Sequence, residues 1–137
     1  MILDAKDQIL GRFSCELAKE LQKGTEITVV NAQEAIVSGN KTHLQIAYKQ
    51  KFDRGQRYNG PFYPKAPERI MKRCVRGMLS KNRRGRECLS RLKVFSSIPD
   101  VYMNEKMDTF KIENKLKKGK YVKLGEISKH LGSKVVE

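Results

Sequence analysis

Two rhythms of apolar residues run along this chain. Ile2 to Asp4 is a short apolar run and predicts a first strand. From Leu10 to Lys23 the apolar residues fall at helical spacing, with Leu10, Phe13, Leu17 and Leu21 on one side and Cys15 and Ala18 alongside. Gly24 follows at the position where a helix C-terminus favours glycine. Residues 26–32, Glu-Ile-Thr-Val-Val-Asn-Ala, are rich in β-branched residues and nearly continuous in apolar character. That pattern predicts a strand covered on both faces. Strand, helix and strand within about 30 residues make a βαβ unit with a right-handed crossover.

A second short apolar run, Ala35-Ile36-Val37-Ser38, ends at Gly39-Asn40. Asn40 suits the cap of a helix from Lys41 to about Tyr48, with Leu44, Ala47 and Tyr48 as its buried side. Residues 49–66 contain Gly55, Gly60, Pro61 and Pro64 among interleaved aromatics and predict an irregular, mobile loop. A loop of that length inside a small domain implies a function for it. Pro67 suits the first position of the next helix. On a helical wheel of residues 68–79, Ile70, Met71, Cys74, Val75 and Met78 share one arc. Arg69, Lys72, Arg73 and Arg76 share another, centred about 180° away. One face of this helix is therefore expected to pack and the other to present four cations in a row.

Ser80 to Arg86 predicts a basic turn, Glu87 to Leu92 a short helix, and Lys93 to Ile98 a strand ended by Pro99. From Asp100 the periodicity weakens. Lys-rich turns such as Lys117-Lys118-Gly119-Lys120 predict a surface arm over residues 104–123. Leu124, Ile127 and Leu131 define a last helix stopped by Gly132. At 137 residues, with no internal repeat, the chain is expected to form one domain over residues 1–137.

Charge changes this picture most. Residues 41–93 hold sixteen Lys or Arg against Asp53, Glu68 and Glu87, a net of +13, whereas the whole chain is +14. The rest of the chain is therefore almost balanced, and one basic segment is set into it. Such a segment points to nucleic acid as its partner. Its candidate nucleic-acid-binding residues are Lys49, Lys51, Arg54, Arg57, Tyr58, Lys65, Arg69, Lys72, Arg73, Arg76, Lys81, Arg83, Arg84 and Arg86. Arginine suits phosphate because its planar fork donates several bonds at once. Tyr58, Phe62 and Tyr63 serve either to stack on unpaired bases or to anchor the loop. Gly55, Gly60, Gly77 and Gly85 serve either close backbone approach to a phosphate chain or turn geometry.

Other chemistries find little support. Three cysteines without a C-x-x-C pair speak against disulfides and zinc, and Cys15 and Cys74 are expected to be small buried apolar residues. His43 and His130 stand alone, and no nucleophile motif is present. Gly39-Asn40-Lys41-Thr42 resembles the end of a phosphate-binding loop but lacks the glycine before the lysine. A small α/β nucleotide-binding enzyme using the turn 38–42 is the alternative reading. The start of the sequence has neither the basic nor the apolar part of a signal peptide, and no apolar window spans a membrane. A soluble intracellular protein without cofactor, small-molecule substrate or membrane partner is expected.

Five blocks, in order over residues 2–98, resemble the large-subunit ribosomal protein family thirteen in its archaeal and eukaryotic form. They are Asp4-Ala5 with Leu10-Gly11-Arg12; Val29-Val30-Asn31-Ala32; Ser38-Gly39-Asn40; Gly60-Pro61-Phe62-Tyr63 with Ala66-Pro67 and Arg69-Ile70; and Val75-Arg76-Gly77-Met78-Leu79 running to Gly85-Arg86 and Leu92-Lys93-Val94. Leu124-Gly125-Glu126-Ile127 resembles the archaeal form, and the chain has the archaeal length. One departure stands out: Ser80 occupies a position where the family usually has proline. The resemblance implies an α/β fold, with a central, mostly parallel sheet of about four strands flanked by helices and a basic loop extension. It implies a cytoplasmic, non-enzymatic constituent of the large ribosomal subunit. Its partners would be 23S-type rRNA and neighbouring large-subunit proteins, and its role the stabilisation of rRNA folding during assembly.

Overall fold

The computed structural model describes residues 1–110 and 120–134. The elements run β1 (Ile2–Asp4), α1 (Leu10–Gln22), β2 (Ile27–Val30), β3 (Ile36–Ser38), α2 (Lys41–Asp53), α3 (Pro67–Met78), α4 (Arg83–Ser90), β4 (Leu92–Val94), β5 (Tyr121–Lys123) and α5 (Leu124–His130). Short 3-10 turns lie at Ala32–Glu34 and Asp100–Tyr102.

The α/β architecture matches the expectation. β2 is central in a parallel sheet ordered β1-β2-β4, with Leu3 opposite Val29 and Val29 opposite Val94. Ile27, Val29 and Val30 are buried, as a strand covered on both faces requires. The fourth position of this sheet is a single parallel bridge between Leu3 and Asp108, which covers the outer edge of β1. β3 does not join it. It pairs antiparallel with β5 in a separate two-stranded sheet, with Val37 opposite Val122.

The core-facing stripe of α1 is Leu10, Phe13, Ser14, Leu17, Ala18 and Leu21. Fully burying an aliphatic or aromatic side chain of this kind contributes about 1.5–3 kcal/mol. Cys15 is exposed, contrary to expectation, and Cys74 is only half-buried; Cys88 is the buried cysteine. The helix period explains Cys15, since the stripe advances by three and four residues from Leu10 and Ser14 takes the inward place beside it.

Two boundaries also move. α2 runs through Asp53, five residues beyond Tyr48, because no glycine or proline interrupts it before Gly55 and because Leu44, Tyr48 and Phe52 pack in succession against the core. The irregular segment is therefore shorter than predicted. None of the α2 residues is fully buried, so this helix lies on the surface. α4 starts at Arg83, within the predicted basic turn, and the strand after it begins at Leu92. α5 ends as predicted, with Gly132 at φ +81° behind it. Of the predicted arm, residues 111–119 lie outside the described residues, and its described ends are not a free arm: Asp108 bridges Leu3 and Tyr121–Lys123 is strand β5, held by its pairing with β3.

Candidate nucleic-acid interface

The basic segment is seated on the core through α3. Pro67 opens the helix, where its missing N–H has no intrahelical partner to lose. Pro67, Ile70, Met71 and Val75 are buried, Cys74 is half-buried, and Met78 is exposed at the helix end. The cationic face is not the uniform row that the wheel predicts. Arg69 and Arg76 are exposed, whereas Lys72 and Arg73 are half-buried. Lys72 Nζ donates to the carbonyl of Leu92 at 2.9 Å. Arg73 donates to the carbonyl of Phe62 at 3.3 Å and lies 4.9 Å from the centre of the Tyr63 ring. The alternating depth follows from the helix: positions 72 and 73 flank the buried stripe, and long cationic chains lie along apolar surface with the charged end directed outward.

The turn into α4 is built from short polar contacts. Asn82 caps the helix by accepting from the Gly85 N–H at 3.0 Å, and the Ser80 hydroxyl donates to the same Asn82 oxygen at 2.8 Å. The chain closes so tightly that a Cβ on Gly85 would sit 1.9 Å from the Ser80 carbonyl oxygen. Gly85 thus serves turn geometry. Arg83 pairs with Glu87 at 3.0 Å, one helical turn on, while Arg84 and Arg86 are exposed.

A groove of about 400 Å³ runs between the end of α3 and α4. Leu79 and Leu89 are its apolar lining, and Arg73, Arg76, Lys81 and Arg86 are its cations. A neighbouring cleft shares Arg73, Arg76 and Leu89 with it and adds Arg69 and Lys72. A third cleft, on the α1 side, includes Arg84. No acidic residue lines any of the three. Gly77 also lines the groove, and a Cβ there would meet nothing within 4 Å. Glycine is about 1 kcal/mol worse than alanine inside a helix, and no internal contact requires the missing side chain.

Lys49, Lys51, Arg54, Arg57 and Tyr58 form a second group, at the end of α2 and on a projecting tip. Gln56 and Gly60 exchange backbone hydrogen bonds of 3.1 and 3.0 Å, which close the tip. Tyr58 is 80% exposed and Phe62 is 70% exposed, with the Arg57 guanidinium 5.6 Å from the Tyr58 ring centre. Tyr63 takes the anchoring role instead. Its ring sits between Arg73 and Tyr48, meeting the latter edge-on at 6.2 Å. Burial pushes the Tyr48 phenol up to about 12 and raises that of Tyr63 as well. Lys51 and Lys65 lie over Tyr48 and Phe52 at 5.0 and 4.8 Å. The Ser128 hydroxyl of α5 donates to the Lys65 carbonyl and pins the chain just before α3.

The chain matches the family model described as Ribosomal protein L13 over residues 1–100. It is 44% identical over 135 residues to the large ribosomal subunit protein uL13 of Archaeoglobus fulgidus, covering 96% of this chain and 86% of that protein. The uL13 of Methanosarcina barkeri is 40% identical over 137 residues, covering 97% and 98%. That of Methanococcoides burtonii is 39% identical over 136 residues, with the same coverage. The chain belongs to the L13 family of ribosomal proteins.

These L13 relatives are named as ribosomal constituents and not as enzymes. The turn 38–42 agrees with that. Lys41, the cation that a bound phosphate would need, is paired with Glu126 of α5 at 2.8 Å. Among the described residues no three His, Cys, Asp or Glu side chains gather as metal ligands would, and no helix is long and apolar enough to cross a membrane. At Ser80, the position where the resemblance leads one to expect proline, the hydroxyl donates to Asn82 within the turn. Sequence reasoning missed Leu79 and Leu89 as lining residues. Leu79 closes the apolar arc of α3, and the cue for Leu89 was its place one residue after Cys88 in an otherwise polar helix.

Proposed function

We propose that this chain is a structural constituent of the large ribosomal subunit, in the cytoplasm. It binds 23S-type rRNA through α3, the turn at 80–82, α4 and the 54–62 tip. The observation that carries this reading is the set of acid-free clefts along α3 and α4, lined by Arg69, Lys72, Arg73, Arg76, Lys81 and Arg86. A solvated helix face ordinarily mixes both signs so that i,i+4 pairs form; here an external polyanion is the complement. Phosphate contacts position a protein and carry no base information. Recognition therefore depends mainly on the shape of the folded RNA, where separate segments converge on these clefts. Holding such segments together stabilises rRNA folding during assembly, next to neighbouring large-subunit proteins.

Binding to large-subunit rRNA at increasing salt tests the proposal. With roughly 6–10 phosphates engaged, affinity falls about 10³–10⁵-fold between about 50 and 200 mM salt, with duplex DNA as the guide. A nearly flat dependence sinks it. The double variant Arg69→Glu/Arg76→Glu should fail to co-sediment with large subunits while keeping its thermal midpoint, because both side chains are exposed. Lys72 and Arg73 are left intact because both hold backbone carbonyls.

A further inference from the structure

We infer that the groove between α3 and α4 seats a single unstacked RNA nucleotide, its base against Leu79 and Leu89 and its flanking phosphates on Arg76, Lys81 and Arg86. This rests on the rRNA-binding reading and deepens it. A surface that meets phosphates alone has no use for an apolar recess, yet this one has about 400 Å³ of space, within the roughly 300–1,000 Å³ of sites for small organic ligands. A nucleobase supplies the flat, largely apolar body that fits such a recess, and the sugar–phosphate chain supplies anions on either side for the rim.

Gly77 is the second observation. It is exposed, helical and on the groove wall, and no atom of the protein lies within 4 Å of where its Cβ would be. Gly85 is different, because the adjacent turn forbids a side chain there. Position 77 is therefore open space on the groove wall, where a flat base can lie along the helix backbone without meeting a side chain. The groove also lacks any acidic residue that would repel the flanking phosphates.

The test uses the full chain and two end-labelled RNA hairpins that differ only in one bulged adenosine. Fluorescence anisotropy at fixed salt gives the ratio of their affinities. The unaltered chain should prefer the bulged hairpin by about tenfold, the worth of one well-stacked base. Gly77→Leu fills the groove without changing charge. It should bring the ratio to about one while the fully paired hairpin binds as before. Gly77→Gln is the second plug, and thermal midpoints establish that both variants are folded. Tyr58→Ala/Phe62→Ala, altered on the tip, should keep the preference. If both hairpins bind the unaltered chain equally and with steep salt dependence, or if folded Gly77→Leu and Gly77→Gln retain the preference, the groove inference is wrong and the rRNA reading stands. If neither hairpin binds in a salt-dependent way and large-subunit rRNA does not bind either, both readings are wrong.

Discussion

The α3–α4 groove and the 54–62 tip carry the same sign of charge on unlike supports. At the groove, one side of α3 is core: Ile70, Met71 and Val75 are buried, and Lys72 and Arg73 are tied to backbone carbonyls. Arg73 is thus held in place before any ligand arrives, which reduces the ordering cost of binding, while Arg76, Lys81 and Arg86 stay exposed on the rim. The tip is closed by one pair of backbone hydrogen bonds between Gln56 and Gly60, and its aromatic residues Tyr58 and Phe62 face outward. One region thus offers a preformed electrostatic and apolar shape, the other an adaptable stacking surface.

The sharpest way to break this comparison is a matched pair of glycine substitutions. A Cβ on Gly85 would lie 1.9 Å from the Ser80 carbonyl oxygen, and one on Gly55 would lie 2.5 Å from the Gly60 carbonyl, with φ at +107°. Both clash with backbone. Gly85→Ala should lower the stability of the whole protein by about 3 kcal/mol, because the turn it disrupts closes the core over Cys88 and Leu79. Gly55→Ala should cost less than about 1 kcal/mol in global unfolding, because the tip opens locally instead. Chemical denaturation of the two variants reads the difference, and equal losses would show that the tip is as integral as the groove.

A smaller effect separates affinity from stability. Tyr58→Ala/Phe62→Ala should weaken binding to large-subunit rRNA by roughly tenfold, as the loss of a stacking contact does. The same variant should leave the unfolding midpoint within about 0.5 kcal/mol of the original. If it unfolds early, these rings anchor the loop and do not serve RNA.

An effect confined to alkaline pH concerns the join between the two regions, where Tyr48 and Tyr63 meet. Burial favours the neutral phenol of Tyr48, raising it from 10.0 to about 12 in the fold. Below pH 10 both the folded and unfolded chains hold this proton, and stability does not depend on it. Above pH 10 the unfolded chain loses the proton first, so stability falls by up to about 1.4 kcal/mol per pH unit until the folded phenol titrates. Tyr48→Phe removes this component, and the difference in alkaline unfolding between the two proteins measures it. An unchanged alkaline slope would mean that the phenol is solvated and the join is open.

Much of this organisation is legible in the residues. The stripe Leu10, Phe13, Leu17 and Leu21 and the run Ile27 to Val30 specify a βαβ unit because helix and strand periods are local properties of the backbone. The two-faced pattern of α3 is equally local, and it places the basic segment on the core before any contact is known. The family resemblance rests on short blocks that the sequence displays directly.

What tertiary structure alone decided concerns pairs of groups distant in the chain. Whether β3 joined the parallel sheet or met β5 depended on residues 83 or more positions away. Lys72 and Arg73 became tethers because Leu92 and Phe62 offered carbonyls within reach, a circumstance that no wheel of residues 68–79 contains. Cys15 turned outward because Ser14 took the place facing the core. Composition and local period determine which faces are apolar and which are charged; which charges remain unpaired is settled only when the packed chain brings carbonyls and carboxylates within hydrogen-bond range.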